Sequence, residues 1–190
     1  MRTNHDDTLR TVVGAAAIVA PVLHCTTDAM EWLQGGFSRW QLWLNYCAFL
    51  PMPWLLLGVY AVRARQLATT ALVGALLYGA AFTYFASTTL FALQMQVSDY
   101  EVLWQQLSSL YTVHGAVMVA GGLLFSWAAW QGRAVPRPAV ALFAAGLLVN
   151  LGLAVVPAPD LLQTAGTAIR NAGIVWMGCA LLSDGPSREG

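Results

Sequence analysis

Six long apolar stretches, separated by short polar breaks, constrain this chain more than any other feature of its sequence. About 20 apolar residues, each rising 1.5 Å in a helix, cross the ~30 Å hydrocarbon core of a bilayer. A segment in lipid must pair its own backbone groups, and the stretches lack the alternation of outer-membrane barrel strands, so all are predicted to be helices. The sequence therefore predicts an all-α integral membrane protein, a single six-transmembrane-helix bundle over residues 1–190, with spans at roughly 10–32, 40–62, 67–93, 103–130, 138–156 and 161–182.

Composition supports the same class and excludes others. Hydrophobic residues make up 58% of the chain and charged residues 9%, which is typical of a membrane protein. The formal net charge is zero, and the scattered arginines form no basic patch for nucleic acid and no run dense enough to recruit an anionic lipid. The expected partners are therefore membrane lipids and an apolar small molecule, with a homo-oligomer or a larger membrane complex as a further alternative.

The basic residues predict an orientation. All nine are arginines, of which Arg39 lies on one side of the six-span map and Arg170 lies inside the sixth span. The remaining seven share the opposite side, namely Arg2, Arg10, Arg63, Arg65, Arg133, Arg137 and Arg188. Under the positive-inside rule both termini are cytoplasmic. The lack of lysine and the abundance of alanine indicate a bacterial source, so the predicted location is a bacterial plasma membrane.

Other residues predict how the helices bend and pack. Pro51 and Pro53 lack amide donors, so the second span is predicted to kink. Cys25 and Cys47 lie in the outer halves of adjacent spans, but we expect buried free thiols rather than a disulfide. Small residues in the fourth and sixth spans predict close helix contacts, at Gly121, Gly122, Gly166 and Gly173.

Candidate chemistry begins in the first span, where His24, Asp28 and Glu31 share one helical face. A charged side chain near the bilayer centre costs ~2.5 to 3.5 kcal/mol, so these groups should face protein or water. We interpret all three, together with His114 of the fourth span, as candidate catalytic residues. Structural hydrogen bonding is the alternative for each of them.

Arg170 keeps its charge in any environment and needs a carboxylate, a ligand anion or water. Asp28 or Glu31 is its expected partner, and a structural ion pair remains the alternative to a role in substrate binding. Other polar side chains of the spans fall in the outer half of the membrane. Those that we assign to substrate binding, with interhelical hydrogen bonding as the alternative, are Tyr84, Asn45, Asn150, Asn171, Tyr111 and Trp43.

Four of these residues are predicted to converge on one layer of the bundle. His24, Tyr84, His114 and Arg170 each lie ~15 to 18 Å along a straight helix from the outer loops. The lipid penalises charged groups that face outward, which favours inward orientation of all four. The sequence therefore predicts a polar pocket in the outer half of the bilayer.

Three classes of function fit such a pocket. The first is an intramembrane isomerase or lyase (cyclase) without a cofactor, in which Asp28 or Glu31 transfers protons to an isoprenoid, sterol or quinone. Trp43, Trp104 and Tyr84 would then shelter a developing cation. The second is a b-type haem protein with His24 and His114 as axial ligands and Arg170 near a propionate. The third is a transporter-like module or an accessory subunit of a membrane complex.

Overall fold

All regular secondary structure in the computed structural model, which describes residues 4–153 and 160–183, is α-helical. The predicted all-α class is therefore confirmed. The helices are α1 Asn4–Gln34, α2 Arg39–Phe49, α3 Met52–Arg63, α4 Thr69–Met95, α5 Tyr100–Gly132, α6 Arg137–Leu153 and α7 Asp160–Ser183.

Within the described ranges, five segments are long and apolar enough to cross a membrane, where six were predicted. They are α1, the combined segment from Arg39 to Arg63, α4, α5 and α7. α6 is also apolar, but its 17 residues make it shorter than the others. The last residues of the predicted fifth span, 154–156, lie outside the described residues. Several apolar helices of this length indicate a multi-pass membrane protein.

The predicted kink in the second span is present as a complete break between two helices. α2 ends at Phe49 and α3 begins at Met52, with Pro51 at the junction and Pro53 in the first turn of α3. Proline has no amide hydrogen, so the helical hydrogen bonds cannot continue through this segment. The break bends the second span without interrupting its hydrophobic length.

A second break, in α5, was not predicted. Ser108 has φ 44° and ψ −120°, which is not a helical conformation, and it separates the first two turns of α5 from the rest. A positive φ is costly for a residue with a side chain. Neither proline nor glycine marks this position, so composition gave no signal for it.

The helices follow one another around a ring. α1 packs on α7, α7 on α6, α6 on α5 and α5 on α4. α4 in turn packs on α2 and α3, and both of these contact α1. The interior of the ring holds fully buried aromatic side chains, with the ring centroids of Tyr78 4.8 Å from Phe82 and 5.6 Å from Phe143. These rings form the centre of the hydrophobic core.

Glycines allow helix backbones to touch, as predicted. A Cβ atom on Gly74 of α4 would lie 2.6 Å from the carbonyl oxygen of Gly121 and 2.5 Å from the amide nitrogen of Phe125, both in α5. α6 and α7 meet in the same way where Gly173 lies against the backbone of Phe143. The close contacts predicted for the glycines of the fourth and sixth spans are thus confirmed.

The cysteines are less buried than expected, whereas the tryptophans lie on the outside of the bundle. Cys25, Cys47 and Cys179 are free thiols, as predicted, but only Cys25 is partly buried, and the other two are exposed. The tryptophans point outward from the bundle, as membrane-interface residues do. Those exposed are Trp32, Trp40, Trp43, Trp54, Trp104, Trp127, Trp130 and Trp176.

Candidate functional site

The side-chain amide of Asn171 joins α7 to α1. Its Nδ2 atom lies 3.3 Å from the carbonyl oxygen of Pro21, 3.3 Å from Nδ1 of His24 and 3.2 Å from Sγ of Cys25. The amide carries two hydrogens, so two of these three acceptors are served at a time. Asn171 is 1% exposed. It therefore fixes the two helices against each other at a buried point.

His24 and Asp28 form a pair one helical turn apart. Nε2 of His24 lies 3.5 Å from Oδ1 of Asp28, and the imidazole packs edge-on against the ring of Phe49 at 4.7 Å. Because the amide of Asn171 donates to Nδ1, the proton of the neutral imidazole belongs on Nε2, which points it at Asp28. His24 is buried, while the side chain of Asp28 keeps 20% of its surface exposed. The pair therefore places a buried imidazole against a partly exposed carboxyl group.

Arg170 is 3% exposed, and its guanidinium contacts neutral groups. Its Nε and Nη2 atoms each lie 3.4 Å from Oδ1 of Asn171, and Nη1 lies 3.4 Å from Sδ of Met118. The guanidinium carbon sits 5.5 Å from the ring centroid of Phe82, within range of a cation–π contact. A guanidinium has five N–H donors, whereas the contacts to Asn171 and Met118 are few and long for hydrogen bonds. Its hydrogen-bonding capacity is thus only partly met.

The expected ion pair between Arg170 and Asp28 or Glu31 is not found. Among the described residues no carboxylate lies within 4 Å of the guanidinium. Asp28 instead contacts His24, which lies one turn before it on α1. The guanidinium of Arg170 contacts the side-chain amide oxygen of Asn171 where a carboxylate was expected. We call His24, Asp28, Arg170 and Asn171 the polar cluster. It combines a histidine–carboxyl pair with a buried cation.

Tyr84 and His114 meet in a second group, between α4 and α5. Their rings stack at 3.7 Å with an angle of 13°. Nδ1 of His114 lies 2.7 Å from the carbonyl oxygen of Leu110, which can only accept, so Nδ1 carries the proton and Nε2 is an acceptor in the neutral ring. The hydroxyl oxygen of Tyr84 is buried and has no hydrogen-bond partner in the part of the chain that the structure describes.

The predicted single layer is therefore two groups. Within the described ranges no hydrogen bond or ion pair joins the Tyr84 and His114 stack to the polar cluster. Met118 lies one turn after His114 on α5 and contacts Arg170 through its sulfur.

Asn45 helps to hold α1 against α2. The hydroxyl oxygen of Thr27 lies 3.1 Å from Oδ1 of Asn45 and 2.8 Å from the carbonyl oxygen of His24. Gln41, which is fully buried, donates from Nε2 to the carbonyl oxygen of Thr27 at 3.2 Å. Gln41 was not predicted as a site residue, although it lies one turn before Asn45 on the same helical face. These contacts position the turn of α1 that carries His24 and Asp28.

Asn150 and Tyr111 support neighbouring helices. Nδ2 of Asn150 donates to the hydroxyl of Thr167 at 3.2 Å and so links α6 to α7. The Oδ1 atom of Asn150 is buried and unpaired among the described residues. Tyr111 packs its ring against Phe85 at 5.1 Å and Tyr100 at 5.7 Å.

Two predicted site residues lie apart from the polar cluster. Trp43 is 44% exposed and contacts the ring of Tyr46 at 6.2 Å, so it points away from the bundle interior. Glu31 is half-buried near the end of α1, where its carbonyl oxygen accepts a hydrogen bond from Gly36. Trp43 and the equally outward Trp104 therefore face away from the place where a cation on a bound substrate would form.

The two histidines proposed as haem ligands are engaged elsewhere. Both ring nitrogens of His24 contact protein groups, and His114 is stacked face to face on Tyr84. Axial ligation needs one free nitrogen from each ring, directed at a common iron. To hold a haem between the two rings, His24 would have to give up one of its contacts, whereas Nε2 of His114 has no hydrogen-bond partner among the described residues.

An apolar groove of about 700 Å³ runs along the outer surface between α1 and α7 and reaches the polar cluster. Val22 and Ala29 of α1 and Trp176 of α7 line its sides, and Asn171 lies in its floor. The groove therefore connects the surface that would face lipid with the amide that holds His24 and Arg170.

Two further searches, for a metal site and for similar proteins, gave no match. Within the described residues no three His, Cys, Asp or Glu side chains are grouped so that they could hold a metal ion. Comparisons with protein-family profiles, with curated proteins and with solved structures found no match.

Proposed function

We propose that the chain is a six-span bacterial plasma-membrane enzyme with cytoplasmic termini, and that its polar cluster isomerises an apolar, lipid-like substrate. The distribution of arginines supports the orientation. The place of α6 in the helix ring supports the sixth span, since Phe143 and Leu147 are fully buried between its neighbours. An isoprenoid, sterol or quinone is the substrate class that a site within the bilayer would meet.

The observation that carries this proposal is the His24–Asp28 pair beside a buried Arg170 that has no carboxylate in contact among the described residues. A pair of this kind can take a proton from one carbon and return one to another. In an allylic isomerisation the base removes a proton, the double bond shifts, and a proton is added to its far carbon. One proton leaves and one enters, so no cofactor is required.

Arg170 favours one form of this chemistry over another. A fixed positive charge stabilises a developing enolate or dienolate oxygen and opposes a carbocation. The substrate would therefore carry a carbonyl or similar oxygen next to its double bond. This supports isomerisation over cyclisation through a cation, for which the outward positions of Trp43 and Trp104 also provide no shelter.

The groove between α1 and α7 provides the access that a lipid substrate needs. It is almost wholly apolar and lies between two helices that are candidate membrane spans. An isoprenoid or acyl chain in the groove would place its polar end near Asn171. Entry from the membrane therefore requires no water-filled path.

Deuterium incorporation tests the proposal on a mixture of lipids, so no single substrate has to be chosen. Purified protein is incubated with a bacterial lipid extract in D₂O buffer, and the lipids are analysed by mass spectrometry. We expect one lipid class to gain deuterium with the wild-type protein and none with Asp28→Asn, while Asp99→Asn, which removes a carboxylate outside the helices, keeps the wild-type result. Exchange that persists in Asp28→Asn would reject the assignment of Asp28.

The visible spectrum of the same preparation separates this proposal from the haem alternative. The isomerase proposal expects a colourless protein, with a lipid recovered on organic extraction. A Soret band that is lost in His24→Ala or His114→Ala would replace the proposal with a b-type haem protein.

The outer part of α5 favours a second candidate, an accessory subunit or a homo-oligomer. Gln105, Ser109 and Thr112 are all exposed in this candidate span, where lipid would penalise polar groups. A partner helix that covers this face would remove the penalty. Cysteine cross-linking of a Thr112→Cys variant in membranes tests it, and a cross-linked product of twice the monomer mass would identify a second copy as the partner.

A further inference from the structure

The Nε and Nη2 atoms of Arg170 form an edge of the guanidinium with two donors, and both donors share one acceptor. This acceptor is Oδ1 of Asn171, which lies 3.4 Å from each nitrogen. Charge-assisted N–H···O bonds are usually about 2.7 to 2.9 Å long, and a carboxylate binds such an edge with two separate oxygens. The edge therefore has the donors that bind a carboxyl group, but its contact within the protein is long.

The protein places no carboxylate on this edge. Among the described residues no Asp or Glu side chain forms an ion pair with the guanidinium, and Asp28 of the polar cluster contacts His24. Arg170 is 3% exposed, so bulk water does not solvate its charge. A buried guanidinium without a carboxylate in contact is costly, and an acidic ligand would offset that cost.

The groove between α1 and α7 reaches the other side of the same amide. Asn171 lies in its floor, and Nδ2 of Asn171 contacts Pro21 and Cys25, which also line the groove. Along α7 the groove runs from Ala168 to Cys179, a rise of ~16 Å. No charged side chain is among the described residues that line it. The amide of Asn171 thus lies between an apolar groove and a buried cation.

Asn171 would have to move for a ligand in the groove to contact Arg170. Its two amide hydrogens face three acceptors, so the side chain can exchange partners. Its contacts to oxygen and nitrogen atoms are 3.3 or 3.4 Å long, which is long for hydrogen bonds. A rotation of this side chain would withdraw Oδ1 from Arg170 and leave both donors of the edge to a ligand.

We propose that the groove holds a lipid chain that ends in a free carboxyl group, and that this group replaces Oδ1 of Asn171 on the Nε–Nη2 edge of Arg170. The apolar walls contact the chain, and the two carboxyl oxygens accept from the two donors. This inference rests on the groove and the polar cluster of the proposed function, and it narrows the substrate to an acid with an acyl or isoprenoid chain.

Competition binding to the full chain in mild detergent tests the proposal. Bound tritiated myristic acid is displaced with unlabelled myristic acid or with methyl myristate, which has the same chain and an esterified carboxyl group. We expect the wild-type protein to bind the acid about tenfold more tightly than the ester, the effect of one hydrogen bond to a charged group. Equal affinities for acid and ester would overturn the proposal.

Two substitutions at the edge give different results. Arg170→Met should weaken binding of the acid about tenfold, whereas binding of methyl myristate should not change, which also shows that the variant is folded. Asn171→Ala removes the competing Oδ1 atom, so the acid should bind at least as tightly as to wild type. Loss of acid binding in Asn171→Ala, with ester binding retained, would assign the carboxyl group to the amide and reject the edge of Arg170.

A larger side chain in the groove tests the place of the chain. Ala172→Phe should weaken binding of both acid and ester about tenfold, because the ring would occupy space that the chain needs. Ala165→Phe is the matched control, since Ala165 is also exposed on α7 but does not line the groove. Equal weakening by both substitutions would place the acid outside the groove.

This proposal and the proposed function can fail separately. Preferential binding of the acid without deuterium incorporation into lipid would support the carboxyl site and reject the isomerase. Deuterium incorporation by a protein that binds acid and ester equally would support the isomerase and reject the carboxyl site.

Discussion

The two halves of the bundle are built in different ways. Towards the end of the bundle at which α3 and α5 end and α4 and α6 begin, helices touch through glycines, such as Gly74 against Gly121, and the side chains between them are apolar. Towards the other end, α1, α2, α6 and α7 are held by polar side chains, such as Asn171 and Asn45. Helices that touch through their backbones cannot shift without a clash, whereas a polar side chain can rotate and form a hydrogen bond with another partner. The comparison indicates that one half, which we call the scaffold, is fixed by backbone contacts, whereas the other half, which we call the polar half, is held by side chains that can rearrange.

The largest effect is expected from a methyl group between the scaffold helices. Gly74→Ala should destabilise the fold by about 3 kcal/mol, because its Cβ would meet backbone atoms of α5, which cannot turn aside. Thermal unfolding in detergent measures this loss. Gly115→Ala is the control on α5 itself, since no atom lies within 4 Å of its added Cβ. Equal destabilisation by both substitutions would contradict the distinction between the halves.

In the polar half, replacing Asn171 should lower the stability of the fold by less than Gly74→Ala does. Asn171→Leu removes contacts to Pro21, His24, Cys25 and Arg170, and at ~0.6 kcal/mol for an average polar contact in a membrane the total is about 2 kcal/mol. Asn150→Leu serves as the comparison, because Asn150 makes one described side-chain hydrogen bond. The same thermal measurement should show little change there. A neutral Asn171→Leu would mean that the amide does not hold α7 to α1.

Arg170→Met should stabilise the fold, in contrast to the two substitutions above. A buried guanidinium without a carboxylate in contact costs desolvation that its long contacts to Asn171 and Met118 do not offset, so an apolar side chain of similar length should raise stability by about 1 kcal/mol. The midpoint of thermal unfolding should rise while deuterium incorporation into lipid is lost. A lower midpoint would assign Arg170 to the scaffold and remove it from the proposed chemistry.

The smallest effect is expected at Asp99, which precedes α5. Its carboxylate accepts hydrogen bonds from the amide of Val102 at 2.9 Å and the hydroxyl of Ser98 at 2.7 Å, and these bonds hold the pKa of Asp99 below its ordinary value. The lowered pKa means that the stabilisation is complete above the unfolded value of about 3.9 and is lost as pH falls through the folded value.

Asp99→Ala should accordingly cost about 1 kcal/mol at neutral pH, the usual effect of a lost helix cap. The difference from wild type should start to shrink as pH falls below ~4 and should be lost once pH is below the folded pKa of Asp99. Thermal unfolding at neutral and acidic pH measures both. A difference that persists at low pH would show that the carboxylate charge is not what stabilises the start of α5.

Local signals in the sequence predicted the helices and the bend well. Long apolar stretches gave the spans, and the two prolines gave the break between Phe49 and Met52. Ser108 was missed because neither it nor its neighbours Leu107 and Ser109 are residue types that break a helix, such as proline or glycine. α6 differs from the prediction because its apolar length is shorter, and the described part ends at Leu153.

The residues of the candidate site were predicted from the sequence, but the contacts between them were not. His24, Asp28, Arg170 and Asn171 were all identified by the cost of placing polar groups in lipid. The pairing of Asp28 with His24 rather than Arg170 depends on side-chain directions, which hydropathy does not contain.

The conformation of Ser108 has a consequence for the motions of α5. A residue in this region of backbone conformation costs about 1 to 3 kcal/mol, and it interrupts the cooperative hydrogen bonding between the turns on either side. The turns from Tyr100 to Leu107 can therefore open without disturbing the part of α5 that packs on α4 through Gly121. Amide hydrogen exchange should be fast before Ser108 and slow after Val117, which divides one long helix into two units of unequal protection.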